Sequence, residues 1–351
     1  MHQVSDVIQK QVEKLFGKPT EVVDKEIEKM LLLPQLGSLL YIVVDLKIPQ
    51  LLETGPKTAE ELGLATSTRS DKLERVLLTL ETKKLFNYNP VTKQFALNSI
   101  SVHFLKEAYL DYIKFYLAPW QMDFLSVIPK SLKSDKTAPE EYYNTNFIDF
   151  LGQKPIYLEQ FVNGITSHIL WTVNEIGLGI NLSDSTKVLE ISGQGGALLI
   201  ELARLYQHIQ GTVYDIDLFK DITEKKIQEN NFQEKLKFVS GNYLESIPIG
   251  YDTIVAKCIS KENNDANFEK ILVNMRNALN VGAKIFLVDI AIDKTHTNYR
   301  FERFNDIVAM SLTDGRVRTR VEIEAFLNRT GFRILNITPA KTDIVIEAAA
   351  V

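Results

Sequence analysis

The chain predicts an α/β protein: a Rossmann-like, doubly wound parallel sheet in its second half, preceded by an α-helical domain. Three observations carry this. From residue 187 on, strand-like apolar runs (KVLEI, GTVYDI, KLKFV, YDTIVAK, AKIFLVDI) alternate with amphipathic stretches such as ALLIELARLYQ and NFEKILVNMRNALN, the rhythm of parallel strands joined by helices. Upstream, the pattern is helix, turn, helix and hairpin. A length of 351 residues, 45% hydrophobic and 24% charged, suits more than one domain. The boundaries read as 1–105, 106–184 and 185–351.

In the first segment, residues 26–53 are apolar all round, as in a helix buried on most faces. Residues 58–98 then read as two short helices, each opened by a Thr, Ser or Asp cap, and a hairpin turning at Asn89-Pro90. That order is a winged-helix pattern. DNA binding is disfavoured, because the second helix presents Leu and Val rather than Arg, Asn or Gln, and the net charge is -5. Dimerisation is the better reading, since the helix over 30–45 has more apolar surface than so small a domain can cover.

Residues 106–184 form a helical, aromatic-rich connector (YLDYIKFYLAPWQMDFL, then FIDFLGQKPIYLEQFVNGITSHILWTVNEI). Core packing is the first reading of these aromatics, although such helices also wall small-molecule clefts. The end of the chain, GFRILNITPAKTDIVIEAAA, reads as a closing antiparallel hairpin. One cysteine, Cys258, excludes an internal disulfide framework and any multi-cysteine zinc site, and it reads as a small buried residue. Histidines 2, 103, 208 and 296 show no pairing pattern with acids, and no metal spacing is visible. The N-terminus lacks an apolar leader core and no stretch reads as long enough for a membrane span, so a complete, cytoplasmic chain is expected.

The chemistry is concentrated in VLEISGQGGALLIELA, residues 188–203. In a doubly wound sheet the ligand sits at the carboxyl ends of the strands, beside the first strand-to-helix turn. Asp215, ending GTVYDI, stands where an acid would bond both ribose hydroxyls of a nucleotide-type cofactor. NAD and S-adenosylmethionine (SAM) are the candidates. The NAD fingerprint wants a glycine where Leu198 stands, which favours SAM.

The chain resembles the two-domain SAM-dependent O-methyltransferases, the family of plant caffeic-acid-type, hydroxyindole and bacterial antibiotic-tailoring enzymes. The resemblance rests on the run from LGSLLYIVVDLKIPQLLE to ETKKLF and on FVNGITSH, GNYLESIP, YDTIVAK, KILVNMRNAL, LTDGRVRT and FLNRTGF at the family's spacing. It implies a homodimer, a small-molecule substrate and bound SAM, with no nucleic acid, membrane or metal. It also implies cofactor contacts from Ser192, Gly193, Gly196, Asp215, Asn242, Tyr243 and Lys257.

Departures from the family pattern cluster at the site. The family loop reads acid-x-Gly-Gly-Gly-x-Gly; Glu190, Gly193 and Gly196 match, while Ser192 and Gln194 replace two glycines. Asn242 replaces an acid that contacts adenine. Lys261 stands at the position of the catalytic histidine, and Asp289 and Val317 at those of its two flanking carboxylates. A lysine is a poor base unless burial lowers its pKa; otherwise it holds an anion or pairs with Glu262 or Asp289. His168 is a substitute base or a packing histidine, and Ile165 and Ile169 make the neighbouring wall apolar. The leading expectation is methyl transfer to a hydroxyl, with Lys261, Asp289 and His168 as the catalytic group. A repurposed fold catalysing a cyclisation, decarboxylation, hydroxylation or pericyclic step is the alternative, and a non-catalytic dimer is the third reading.

Overall fold

A computed structural model describes residues 13, 14 and 21–351. His2 and the reading of the first residues as free of a leader lie outside the described residues. The chain divides into two compact units, Met1–Leu117 and Ala118–Val351, so the helices from Pro119 on belong with the sheet.

In the first unit a helix over Glu21–Asp45 is followed by a short one over Ile48–Leu52. The single helix expected over 26–53 is broken because Lys47 adopts a left-handed conformation (φ 53°) and Pro49 has no N–H to continue the ladder. Burial of this helix on most faces is also corrected. Val43 and Val44 are fully buried, but Ile27, Met30, Leu31 and Leu33 are each more than half exposed in the chain. Length and composition correct one further expectation: Lys25–Asp45 is long and apolar enough to cross a membrane, with a mean hydropathy of 1.5. Its Pro34, Gln35, Gly37 and Ser38 hide that property from a search for uninterrupted apolar runs.

The helix over Ala59–Thr66 begins with a capping box, in which Thr58 accepts from the Glu61 amide while the Glu61 carboxylate accepts from the Thr58 amide. The next helix, Ser70–Glu81, has no side-chain cap; Arg69 occupies the cap position and pairs instead with Asp71. Its Leu73, Leu77 and Leu80 face a core shared with Val43, Ile48, Leu62, Phe86 and Phe95. Strands β1 (Lys57–Thr58), β2 (Asn87–Asn89) and β3 (Gln94–Ala96) form a small antiparallel sheet in the order β1-β3-β2. The turn between β2 and β3 is set by Asn89, whose side-chain oxygen accepts from the amides of Val91 and Thr92.

The second unit opens with helices over Pro119–Ser131, Ala138–Tyr143, Phe147–Gln153 and Pro155–Gly179. Trp120 lies 5.6 Å from Phe124, 6.0 Å from Phe147 and 6.2 Å from Phe150, ring centre to ring centre, so these aromatics are core, as read. The large sheet contains β4 (Lys187–Ile191), β5 (Gln210–Asp215), β6 (Leu236–Ser240), β7 (Thr253–Lys257), β8 (Lys284–Asp289), β9 (Phe332–Pro339) and β10 (Ile344–Ala350). Their order is β6-β5-β4-β7-β8-β10-β9. The first five are parallel, and the closing hairpin adds β10 antiparallel to β8.

The strand order reverses beside β4, so β4 and β7 bracket the crevice where such sheets bind ligands. Ile169, expected near the ligand wall, packs instead into the apolar layer with Ile176, Val188 and Leu198, and Ile165 rests against the same layer. The long Pro155–Gly179 helix reaches the sheet through Gly179, where a Cβ would lie 2.6 Å from Val345 Cβ. Overpacking of this kind costs about 1–3 kcal/mol. Chemical denaturation of Gly179→Ala should show that loss, and pairing it with Val345→Ala should recover part of it; an unchanged midpoint in the single variant would refute this packing.

Candidate active site

The loop between β4 and the helix Ala197–Leu205 is shaped by four left-handed residues, Ser192 (φ 56°), Gln194 (φ 43°), Gly195 (φ 116°) and Gly196 (φ 71°). Glycine adopts such angles at little cost, whereas Ser and Gln do so under strain. The backbone therefore keeps the shape of a glycine loop where two of its glycines are replaced. Gly193 is required sterically, since a Cβ there would lie 2.8 Å from both Glu190 Oε2 and Val213 Cγ1.

The long side chain of Gln194 does not stay in the loop. Its Nε2 donates to Glu262 Oε2 at 2.8 Å, while its backbone N–H donates to Asp215 Oδ2 at 3.0 Å. One residue thus joins the loop, the acid ending β5 and the acid beside Lys261. Asp215 also accepts from the Ile216 amide, and burial pushes its pKa up to about 7 against the pull of those two amides.

Glu190 ends up more isolated still. It is 1% exposed, and neither carboxylate oxygen makes a well-formed hydrogen bond, the Leu199 amide exerting only a weak pull on it. Burial, and then the Asp215 carboxylate, raise its pKa to about 8. A buried acceptor without a donor is costly, and such a site suits a ligand that brings one. Ser192 Oγ is likewise buried, with only the Tyr243 phenol facing it.

Beyond β7 the chain turns through Cys258 (φ 62°) into the segment that carries Lys261. Three contacts clamp this segment. Asp289, ending β8, accepts from the Ser260 amide at 2.7 Å and from its own neighbour Ile290 at 2.9 Å. Arg318, fully buried, donates to the carbonyls of Ser260 and Asn263 and to Asp265. Gly315 lies so close that a Cβ would collide with the Lys261 carbonyl. Val317 is buried and contributes only packing and a backbone bond to Asp306.

Lys261 is therefore not the rim ion pair weighed from the sequence. Its Nζ lies 4.0 Å from Glu262 Oε1, with both side chains mostly buried. Burial opposes its charge, but the acidic groups around it, Glu262 and Asp289 among them, outweigh that and hold its pKa above the ordinary lysine value. It is therefore protonated near neutral pH. Asp289 faces it only at a distance, because both of its oxygens are taken by backbone amides; burial lifts that carboxyl to about 7.

A second buried cluster adjoins the first. Lys257, ending β7, has its Nζ 3.5 Å from Asp343 Oδ1 and donates to Cys258 Sγ at 3.4 Å. Asp343 Oδ2 lies 3.4 Å from His168 Nε2 and accepts from Thr342 Oγ1. Burial works to raise the Asp343 carboxyl, but Lys257 and His168 overcome it and hold that group well below the usual range. Burial lowers the His168 pKa, with Lys257 and Lys261 adding to the effect, so its imidazole is neutral near pH 7. Cys258 is a small buried thiol, as read, pushed up to about 11 by burial.

The expected cofactor residues thus gather at one edge of the sheet. Tyr243 faces Asp215 and Glu262, which together with burial raise its phenol. Asn242 is occupied locally, its oxygen accepting from the Leu244 amide and its amide donating to Glu245. Glu262 stands beside Lys261 as one of its two expected partners, whereas Gln194's bridge, Arg318 and Asp343 were not singled out from the sequence. The signal for Asp343 is an acid set directly before the last apolar strand; for Arg318 it is an arginine in a segment otherwise read only for Val317. The histidine reading is corrected too: His296 Nδ1 lies 2.6 Å from Glu302 Oε1. Among the described residues no cluster of His, Cys, Asp and Glu suits a metal.

Comparison with known proteins places this geometry. A family model described as an O-methyltransferase domain matches residues 138–333. A mitomycin biosynthesis 6-O-methyltransferase of Streptomyces lavendulae is 22% identical over 84% of this chain and 85% of its own. The structure of a mitomycin 7-O-methyltransferase superposes with a TM-score of 0.87, at 20% identity, over 94% of this chain and 98% of that one. A neocarzinostatin-biosynthesis O-methyltransferase, solved with SAM and 2-hydroxy-5-methyl naphthoic acid, superposes at 0.77 and 17% identity over 91% and 96%.

The raised carboxyls have a consequence for stability. Glu190, Asp215 and Asp289 titrate near 7 to 8 in the folded protein but near 4 when unfolded, about the model-peptide value. The folded state thus retains protons the unfolded state has lost, and the stability they confer fades as pH rises through the folded values. Without added ligand, the melting temperature should fall as pH rises from about 4.5 to about 8 and level off above that, and Glu190→Gln should lessen the fall, most visibly in its upper part. A flat wild-type profile would contradict these pKa values.

Proposed function

The chain belongs to the O-methyltransferase family, and on that premise we propose that it methylates a hydroxyl on a small, flat aromatic molecule of specialised metabolism, using SAM. The observation that carries the cofactor assignment is Glu190, a buried carboxyl without a well-formed hydrogen bond beside a loop that keeps glycine geometry. An amino-acid ammonium is the donor it lacks. Asp215 would take the ribose hydroxyls, Gly193 and Gly196 would admit the ligand to the backbone, and Tyr243 would flank the adenine. Bound SAM supplies an electrophilic methyl, which passes to the acceptor oxygen while the carbon–sulfur pair stays on sulfur.

Lys261 supports the acceptor side. A cation fixed by Glu262 and the clamped segment stabilises negative charge developing on an acceptor oxygen, and it needs no reorganisation to do so. Asp289 and Arg318 act through it, as positioning residues. Alignment of acceptor and methyl supplies much of the remaining rate. The non-methylating alternative is not favoured, because the family model and the mitomycin and phenazine relatives that match the chain are O-methyltransferases.

Two companion proposals share this reading. The exposed Ile27, Met30, Leu31 and Leu33 would pack against a second copy of the chain, making a homodimer. A cytoplasmic setting is suggested by the single cysteine.

Calorimetry should detect SAM binding to the wild-type protein and its loss in Asp215→Ala; absence of binding at millimolar SAM would sink the proposal. Incubation with phenols, hydroxyquinones and hydroxynaphthoic acids should then yield a product heavier by one methyl group. With that acceptor, Lys261→Met should lower kcat about 100-fold, the scale of removing one preorganised charge-stabilising group. Unchanged turnover would remove Lys261 from the site.

A further inference from the structure

A fixed ammonium at Lys261 leaves the acceptor's proton without a destination at the position where the family pattern puts a histidine. We propose that His296, oriented by Glu302, is the general base that takes that proton; the inference rests on the methyl-transfer reading above.

The geometry of the pair is that of a base and its orienting acid. His296 Nδ1 lies 2.6 Å from Glu302 Oε1, and Glu302 is 1% exposed. The other Glu302 oxygen accepts from the Asp293 amide at 2.8 Å. A carboxylate held on both oxygens fixes the proton on Nδ1 and leaves the Nε2 lone pair open. The charged groups facing the imidazole are Glu302, from the helix Tyr299–Thr313, and Asp293, from its own loop.

Placement brings the pair to the reacting edge. Residues 290–298 leave β8 directly after Asp289, on the edge where β7 delivers Lys257. Asn298 donates to the Lys341 carbonyl, next to Thr342 and Asp343. Phe301 lies flat against His168, ring centres 6.3 Å apart and planes within 4°. The dyad thus borders the Lys257–Asp343–His168 cluster. Of the two histidines, His168 has its Nε2 facing Asp343 and Thr342 and a side chain only 10% exposed. His296 keeps 27% exposure, so its ring is open to solvent on one side.

The step moves one proton. The acceptor O–H gives its proton to His296 Nε2, the bonding pair stays on oxygen, and Lys261 steadies the resulting anion. The imidazolium charge is met by Glu302.

Two measurements test this. In nitrogen-15 NMR of the protein without added ligands, followed against pH, the neutral form of the His296 ring should carry hydrogen on Nδ1 and none on Nε2, and Glu302→Gln should disturb that signature. A proton on Nε2, or no response to Glu302→Gln, overturns the proposal whatever the enzyme methylates. With catechol and 2-hydroxy-5-methyl naphthoic acid as acceptors, His296→Gln should lower kcat about 100-fold or more with KM little changed, the range of general-base catalysis. Glu302→Gln should lower kcat in the same direction. Methylation by His296→Gln at undiminished kcat overturns the base alone, whereas no methylation by the wild type overturns the methyl-transfer reading together with it.

Discussion

Five carboxylates, Glu190, Asp215, Glu262, Asp289 and Asp343, are drawn in around two ammonium groups, Lys257 and Lys261, at one edge of the sheet. Their mutual compensation governs the site. Asp343 stays ionised because Lys257 and His168 face it; Glu190, Asp215 and Asp289 have weaker compensation and rise toward neutrality. Lys261 stays charged because acids surround it. The cation that replaces a base and the acids that rise are two sides of one charge balance.

The same balance ties the departures from the family pattern to one another. Gln194 occupies a left-handed position at some cost in strain, and its amide satisfies Glu262, the partner of Lys261. Two residues that look like separate substitutions in the sequence, Gln194 and Lys261, are thus joined through Glu262. Arg318 and Gly315 hold the segment that carries Lys261, and Val317, beside them, can be apolar because no histidine needs its carboxylate.

The strands and the closing hairpin were legible because each strand is a short apolar run bounded by turn residues. The first helix cap was legible because Thr58 stands directly before the helical pattern. Positions fixed by backbone shape were legible too, among them Gly193, Gly196 and Asp215. What escaped reading depends on contacts between distant segments. Gln194 reaches Glu262 across 68 residues, and His168 meets Asp343 across 175. The break at Lys47 escaped because a left-handed lysine leaves no mark in an apolar pattern. His296 escaped because its acid lies six residues on, across a loop and into a helix, where no fixed period applies.

The central claim is that the buried acids wait protonated for a cationic ligand and ionise when it arrives. Counting protons tests it most directly: SAM binding measured calorimetrically near pH 7 in buffers of differing ionisation enthalpy. Net proton release is expected, diminished in Glu190→Gln, because an ammonium beside Glu190 and hydroxyls beside Asp215 favour the charged carboxylates. Binding with no proton release in any buffer would contradict the account.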